Sequence, residues 1–228
     1  MVRRAATEAL GTAFLLMAVV GSGIMGERLA GGNVAIALLA NAVATGAALI
    51  ALILAFGPIS GAHFNPAVTI ADALQGGIAW REAPPYIFAQ VAGAFGGVAA
   101  AHLMFGLPLF FASHHVRDGA AQLFSEFIAT FGLLAVIWGC SRARSSFTPF
   151  AVGAYITAAY WFTSSTSFAN PAVTLARAAS DTFAGIRPAD APAFIAVQFA
   201  AMLVATGCFR WLGPAPVEPA EAQKQITA

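Results

Sequence analysis

Long apolar runs separated by short polar segments make up most of the chain. Runs of about 20 residues, the length that crosses a bilayer as one helix, cover six segments, roughly 5–25, 34–56, 85–106, 120–140, 147–164 and 190–212. Two further segments, PAVTIADALQGG and PAVTLARAASD, are only half hydrophobic. They are too short to cross, because about ten helical residues span half of a core that is roughly 30 Å thick. The pattern predicts an all-α membrane protein with six transmembrane helices and two re-entrant half-helices.

Equivalent polar residues recur in the two halves of the chain. The partners lie 105 to 118 residues apart in similar apolar surroundings: Glu8 with Glu126, Asn65 with Asn170, and Gln90 with Gln198. Such internal similarity indicates a duplication. Each half, about 5–106 and 120–213, holds three spans, so the second half must enter the membrane in the opposite orientation. We therefore predict an inverted repeat that forms one domain over residues 1–213, followed by a disordered cytoplasmic tail over residues 214–228.

Composition and charge narrow the functional class. The chain is 59% hydrophobic and 9% charged with a mean hydropathy of +0.78, far from the composition of soluble domains. A net charge of +1 without basic runs gives no surface for nucleic acid. The sequence contains no nucleophile paired with a base, no metal-ligand cluster and no phosphate-binding loop, so we predict neither an enzyme nor a bound cofactor or metal.

Basic residues in the short loops predict the orientation. Seven fall on the side of both termini, namely Arg3, Arg4, Arg81, Arg142, Arg144, Arg210 and Lys224, and four on the other, namely Arg28, Arg117, Arg177 and Arg187. The positive-inside rule then places both termini in the cytoplasm of a multi-pass protein of the cell membrane.

The sequence Asn-Pro-Ala-Val-Thr occurs once in each half, at Asn65 and at Asn170. Asn is a preferred N-cap residue, and Pro is favoured at the following position because its missing N–H costs nothing there. Each copy therefore predicts the buried start of a half-helix, with the Asn amide group free to donate into a central cavity. Two helix N-termini facing one another would repel cations and orient water, which interrupts a proton wire.

The stretches GAHFNPAVT and FANPAVT, with the repeated Glu and Gln residues, resemble the aquaporin, or major intrinsic protein, family over residues 5–212. The resemblance implies a homotetramer in the lipid bilayer, with a pore through each subunit. The pore is expected to pass between the residues of the two NPA boxes, namely Asn65, Pro66, Ala67, Asn170, Pro171 and Ala172. Gly93 and Gly97, at GxxxG spacing, fit close helix contacts in such a bundle.

The resemblance also assigns roles to other polar residues. Intramembrane carboxylates by themselves suggest an ion or proton path, but by resemblance Glu8 and Glu126 accept hydrogen bonds from the re-entrant loops. His63 could be a proton relay or a metal ligand, and a place in the pore wall is favoured. His115, beside His114, either lines the mouth of the pore or is an ordinary loop residue.

The second NPA box departs from the family's usual pattern. In most members an Arg follows it directly and forms the narrowest constriction, whereas this chain has Val173. By the family's spacing the other filter positions are Thr45, Ala158 and Ser167. None of the four is aromatic or cationic, so we expect a wide filter. The form with Val resembles bacterial aquaglyceroporin-like channels associated with arsenic resistance.

The sequence therefore predicts a passive channel for water and small neutral solutes that excludes protons and ions. The expected solutes are glycerol, urea and undissociated metalloid acids such as arsenite. A strict water channel and an ion-coupled secondary transporter are the alternatives, and the neutral Asn65 and Asn170 favour a channel over a transporter.

Arg177, four residues beyond Val173, has two possible roles. It either supplies a displaced positive charge at the outer mouth or neutralises Asp181, which lies at helical spacing from it.

Overall fold

A computed structural model of the protein describes residues 1–213, so the tail predicted over 214–228 lies outside the described residues. The described part contains eight α-helices: α1 (Val2–Leu29), α2 (Val34–Ser60), α3 (Pro66–Gln75), α4 (Ala83–Met104), α5 (Ala120–Arg144), α6 (Thr148–Phe162), α7 (Pro171–Arg177) and α8 (Ala191–Leu212). Short 3-10 turns at Trp80–Glu82 and Ser145–Phe147 precede α4 and α6. The prediction of an all-α protein with two short half-helices, α3 and α7, is confirmed.

Local capping chemistry sets the ends of the first half-helix. The chain leaves α2 at Gly61, whose φ of 91° lies in the left-handed region, and enters α3 through the cap residue Asn65. Helix α3 ends at Gly76, again with a left-handed φ of 81°. Glycine adopts this conformation without steric cost, so the chain can turn sharply on both sides of α3.

Five helices are long and apolar enough to cross a membrane, namely α1, α2, α4, α5 and α8. The remaining predicted span, 147–164, forms α6 with only 15 residues. At 1.5 Å per residue α6 covers roughly 22 Å, which is less than a bilayer core of about 30 Å. Its chain leaves the helix at Thr163 in an extended conformation and continues into the second re-entrant loop.

The helices pack as two matching groups. In the first half α1 lies against α2 and α4, and in the second half α5 lies against α6 and α8. Helices α2 and α6 join the two groups, while α3 and α7 reach across to the opposite half, where they contact α8 and α4 respectively. The two re-entrant loops thereby meet in the interior.

Small residues allow the closest helix approach. Gly93 and Gly97 of α4 lie directly against the backbone carbonyl groups of Ala9 and Ala13 in α1, and a Cβ atom at either glycine would overlap them. Gly46 and Gly153 make an equally close contact between α2 and α6. Such small-residue contacts let van der Waals packing stabilise helix pairs in a membrane.

We expect Gly97→Ala to destabilise the fold by about 1–3 kcal/mol, the usual cost of overpacking a close contact. The matched control is Gly96→Ala, because Gly96 is exposed and a Cβ atom there meets no described atom within 4 Å. The control should be neutral or stabilising by up to about 1 kcal/mol, the gain from Gly to Ala within a helix. Thermal unfolding in detergent measures both, and equal melting temperatures would contradict a tight contact between α1 and α4.

Candidate functional site

Two loops of unusual backbone conformation enter the interior, one before α3 and one before α7. Among residues 1–213, the positive φ values outside glycine all occur in these loops, at Ala62, Phe64, Thr166, Ser167 and Ala169. Ala62 and Phe64 correspond, 105 positions later, to Ser167 and Ala169. Each such residue costs about 1–3 kcal/mol, so the surrounding contacts must hold the loops in place.

Glu8 of α1 holds the first loop. Its carboxylate is fully buried and accepts hydrogen bonds from the backbone N–H groups of His63 at 3.0 Å and Phe64 at 2.7 Å. It also accepts from the Ser60 hydroxyl at 2.6 Å and the Gln90 amide at 2.8 Å. Four donors therefore surround one buried charge, which satisfies both the carboxylate and the loop backbone.

Glu126 of α5 holds the second loop in the same way. Its buried carboxylate accepts from the backbone N–H groups of Phe168 at 2.8 Å and Ala169 at 2.9 Å. The Gln198 amide donates to it at 2.8 Å. Gln198 thus occupies the same position in the second half as Gln90 in the first.

The two Asn residues cap the half-helices with their side-chain oxygens. Asn65 Oδ1 accepts from the N–H of Ala67 at 2.9 Å, and Asn170 Oδ1 accepts from the N–H groups of Ala172 at 3.0 Å and Val173 at 3.3 Å. Pro66 and Pro171 occupy the first helical turn. The four Pro and Ala residues of the boxes are buried in these turns and do not line the cavity.

The sequence analysis predicted that the amide groups of both Asn residues are free, but each forms one hydrogen bond within the protein. Asn65 Nδ2 donates to the carbonyl oxygen of Ala169 at 2.8 Å, and Asn170 Nδ2 donates to that of Phe64 at 2.7 Å. Each half-helix is therefore bonded to the loop of the opposite half. Since an amide carries two hydrogens, each Asn retains one N–H.

A continuous cavity of about 290 Å³ runs past both loops. The predicted pore residues that line it are Thr45, His63, Asn65, Ser167, Asn170, Val173 and Arg177. His63 bonds to Thr69 Oγ1 at 3.1 Å, and its Nε2 lies 3.5 Å from the Asp72 carboxylate, which also lines the cavity. Ser167 and Val173 are both buried, 3% and 5% exposed, so they face the cavity and not the surroundings of the protein.

The prediction for Ala158 is wrong, because this residue is exposed and does not line the cavity. Ile156 and Tyr160 line it instead. At about 100° per residue, position 158 lies on the opposite side of α6 from both of them. The Tyr160 hydroxyl is 3.3 Å from Thr45 Oγ1, so one wall is aromatic where a small residue was expected. The i, i+4 spacing of Ile156 and Tyr160 is the signal that could have identified this face.

Of the two roles considered for His115, the structure agrees with that of an ordinary loop residue. It is exposed and does not line the cavity, and neither does His114. His114 instead bonds to Asp181 through both its backbone N–H and its ring, each at 2.8 Å. These bonds, the backbone one first, lower the pKa of the Asp181 carboxyl group. Among the described residues Asp181 forms its ion pair with His114 and none with Arg177, so the structure does not support the alternative in which Arg177 neutralises Asp181.

Arg177 is 1% exposed and lies inside the protein, not in an outer loop. Its Nε donates to the carbonyl oxygen of Ala184, and its guanidinium carbon lies 3.4 Å from the centroid of the Phe168 ring. The sequence analysis did not identify Phe168 as the ring that Arg177 packs against, since nothing in the motif indicates which ring this side chain contacts.

We expect Glu126→Gln to destabilise the protein by about 2 kcal/mol or more, because a hydrogen bond to a buried charge contributes about 1.5–3 kcal/mol. The Gln amide would keep one acceptor oxygen and turn an NH₂ group toward backbone N–H donors. The melting temperature and the water flux of vesicles should both be lower in this variant. The control is Glu27→Gln, since Glu27 is exposed at the far end of α1; similar losses in both variants would contradict the role of Glu126.

Comparisons with known proteins agree with this arrangement. The model of the major intrinsic protein family matches residues 1–167. The chain is 52% identical to the aquaglyceroporin AqpS of Rhizobium meliloti over 212 residues, covering 93% of this chain and 91% of that protein. It is 37% identical to aquaporin NIP1-3 of rice, covering 74% of this chain and 60% of the rice protein.

Among solved structures, the aquaglyceroporin from Plasmodium falciparum superposes with a TM-score of 0.71 at 22% identity. The superposition covers 91% of this chain and 95% of that one, so the two share a fold. The family model, the relatives and the fold all indicate the same family. The chain therefore belongs to the major intrinsic protein family, whose members are membrane channels for water and small solutes and not enzymes.

Proposed function

We propose that this channel admits small neutral solutes as well as water, and that it excludes protons and ions. Glycerol, urea and undissociated metalloid acids such as arsenite are the proposed solutes. The observation that carries the proposal is Val173, a side chain without charge or donor on the cavity wall directly after the second NPA box. The names of two similar proteins, both aquaglyceroporins, agree with it.

The other residues near Val173 support an opening of moderate width. Thr45 and Ser167 are small, and Ser167 Oγ has no hydrogen-bond partner within residues 1–213, so it can serve a passing solute. Tyr160 adds bulk on one side, held by its contact with Thr45. We therefore propose a filter wider than one that carries Arg after the NPA box, but narrower than four small residues would make it.

Proton exclusion is proposed to depend on the retained N–H groups of Asn65 and Asn170. Both residues line the cavity, one on each loop. A water oxygen that accepts from both cannot also accept from the next water in the file, so the chain of hydrogen bonds along the pore is interrupted. Neutral molecules pass because they need no such chain.

A strict water channel is the alternative function, and Tyr160 is the observation that favours it. An aromatic side chain on the cavity wall reduces the opening that Val173 enlarges. The balance between these two residues decides whether a three-carbon polyol passes.

The surroundings of the pore are also part of the proposal. We propose one channel domain over residues 1–213 in the cell membrane, with both termini cytoplasmic and four identical subunits. The cytoplasmic position of the termini is supported by basic side chains near the C-terminal end of α3. Arg142 bonds to Gln75, and Arg210 bonds to the carbonyl of Leu74. Arg4 pairs at 3.0 Å with Glu82, which follows α3 in the sequence. An excess of positive charge on one side is typical of the cytoplasmic face.

We expect Val173→Arg to reduce glycerol flux at least about fivefold more than water flux, because the new side chain narrows the pore and adds a fixed charge. Stopped-flow light scattering of proteoliposomes measures both fluxes. Val173→Leu is the control, since it enlarges the side chain without adding a charge, and it should have a smaller effect. Wild-type vesicles that pass water but no glycerol, urea or arsenite would refute the proposal and establish the strict water channel.

We expect Tyr160→Ala to raise glycerol flux about twofold or more relative to water flux, because it widens the cavity at an aromatic wall. Tyr160→Phe keeps the ring and should leave the ratio nearly unchanged, which separates size from the hydroxyl. Ala158→Val, on the outer face of α6, should also leave the ratio unchanged. If Ala158→Val lowers glycerol flux and Tyr160→Ala does not raise it, the filter assignment on α6 is wrong.

A further inference from the structure

The cavity contains a positive charge that the motif does not predict at this position. Arg177 lies four residues beyond Val173 on α7, which at 1.5 Å per residue places its backbone about 6 Å further along the helix. It is almost completely buried and lines the same cavity as Val173. The pore therefore lacks Arg next to the NPA box but has one a helical turn away.

Two contacts fix the Arg177 side chain. Its Nε donates to the Ala184 carbonyl, and its guanidinium carbon lies over the Phe168 ring, 3.4 Å from the centroid. Phe168 is itself held by an edge contact with Phe194, at 5.5 Å between ring centroids. These contacts hold the head group against the wall of the cavity.

The two terminal amino groups of Arg177 remain available. Within the part of the chain that the structure describes, its one side-chain hydrogen bond is that of Nε, and no carboxylate forms an ion pair with it. Asp181 bonds to His114, and Glu126 bonds to the second loop and Gln198. A buried charge without a counter-ion is costly unless polar groups solvate it. The cavity supplies the space for that solvation, so the free donors must bond to the contents of the pore.

A second arginine nearby serves as an internal comparison. Arg117 also contacts the Phe168 ring, at 4.9 Å, but it does not line the cavity. Its donors bond to the carbonyl groups of Gly185 and Ser165 and to the Thr166 hydroxyl. Arg117 therefore supports the loop, whereas Arg177 keeps donors for another partner.

We propose that Arg177 is a specificity-determining residue of the outer pore, which donates hydrogen bonds to the oxygen atoms of entering solutes and repels cations. This inference rests on the proposed function, since it concerns the same neutral solutes. A guanidinium group presents paired donors in one plane, which match solutes that carry two neighbouring oxygens, such as a vicinal diol. The residue would restore, one turn beyond Val173, the charge and the donors that Val173 does not provide.

The test compares Arg177→Met with Arg117→Met in proteoliposomes. Losing a hydrogen bond to a charged group should lower glycerol flux about tenfold or more relative to water flux in Arg177→Met, and uptake of methylammonium should rise about tenfold as the charge is lost. Arg117→Met should lower the melting temperature but leave glycerol selectivity and cation exclusion unchanged. Arg177→Lys should restore cation exclusion, which a merely structural role of Arg177 would not explain.

The two proposals fail in different ways. If wild-type vesicles pass no glycerol, the proposed function fails, and methylammonium uptake still tests the charge of Arg177. If wild-type vesicles pass glycerol but Arg177→Met and Arg117→Met have the same ratio of glycerol to water flux and the same methylammonium uptake, the inference about Arg177 is overturned. If Arg177→Met does not fold, Arg177→Lys and Arg177→Gln replace it. The inference requires that the Lys variant excludes methylammonium and that the Gln variant takes it up. Equal methylammonium uptake by the two variants overturns the inference.

Discussion

Two buried carboxylates make the re-entrant loops possible. Backbone that is neither helix nor sheet cannot meet lipid, because each unbonded polar group costs several kcal/mol in an apolar medium. Glu8 and Glu126 remove that cost by accepting hydrogen bonds from backbone N–H groups of the two loops, including those of Phe64 and Ala169, whose φ values are positive. The loops could not otherwise bring Asn65 and Asn170 into the interior. The ends of both half-helices, and therefore the cavity wall, depend on these two residues.

The second constraint links the halves to each other. Each Asn caps its own half-helix with oxygen and bonds to the opposite loop with nitrogen. A shift of one half-helix would break hydrogen bonds in both halves. The distance between the two NPA boxes is therefore set by these hydrogen bonds as well as by packing. We therefore propose that selectivity is determined by side chains further along the cavity, such as Tyr160, Val173 and Arg177, which can vary without disturbing the centre.

The sequence predicted the central features well because they depend on local chemistry. Helix capping by Asn-Pro and the matched positions of Glu8 and Glu126 follow from residue type and spacing. The assignment of Ala158 to the filter was wrong because it was counted from the spacing along the chain, whereas helix packing sets which face of α6 lines the cavity. The partners of Arg177 and His114 could not be predicted, since they come from loops folded over the end of α7. The span predicted over 147–164 is three residues longer than α6, because Phe147 belongs to the preceding 3-10 turn and Thr163 and Ser164 lie beyond the end of the helix.

The cross bonds between the halves also bear on how such a chain could arise. Each half holds its own loop with its own carboxylate, but its Asn donates to a carbonyl group that only the other half supplies. A half synthesised alone would therefore carry an unused donor and an unused acceptor deep in the membrane. It could satisfy both only beside a second copy inserted upside down. Joining the two copies in one polypeptide guarantees equal numbers of the two orientations, which separate copies would have to reach by chance.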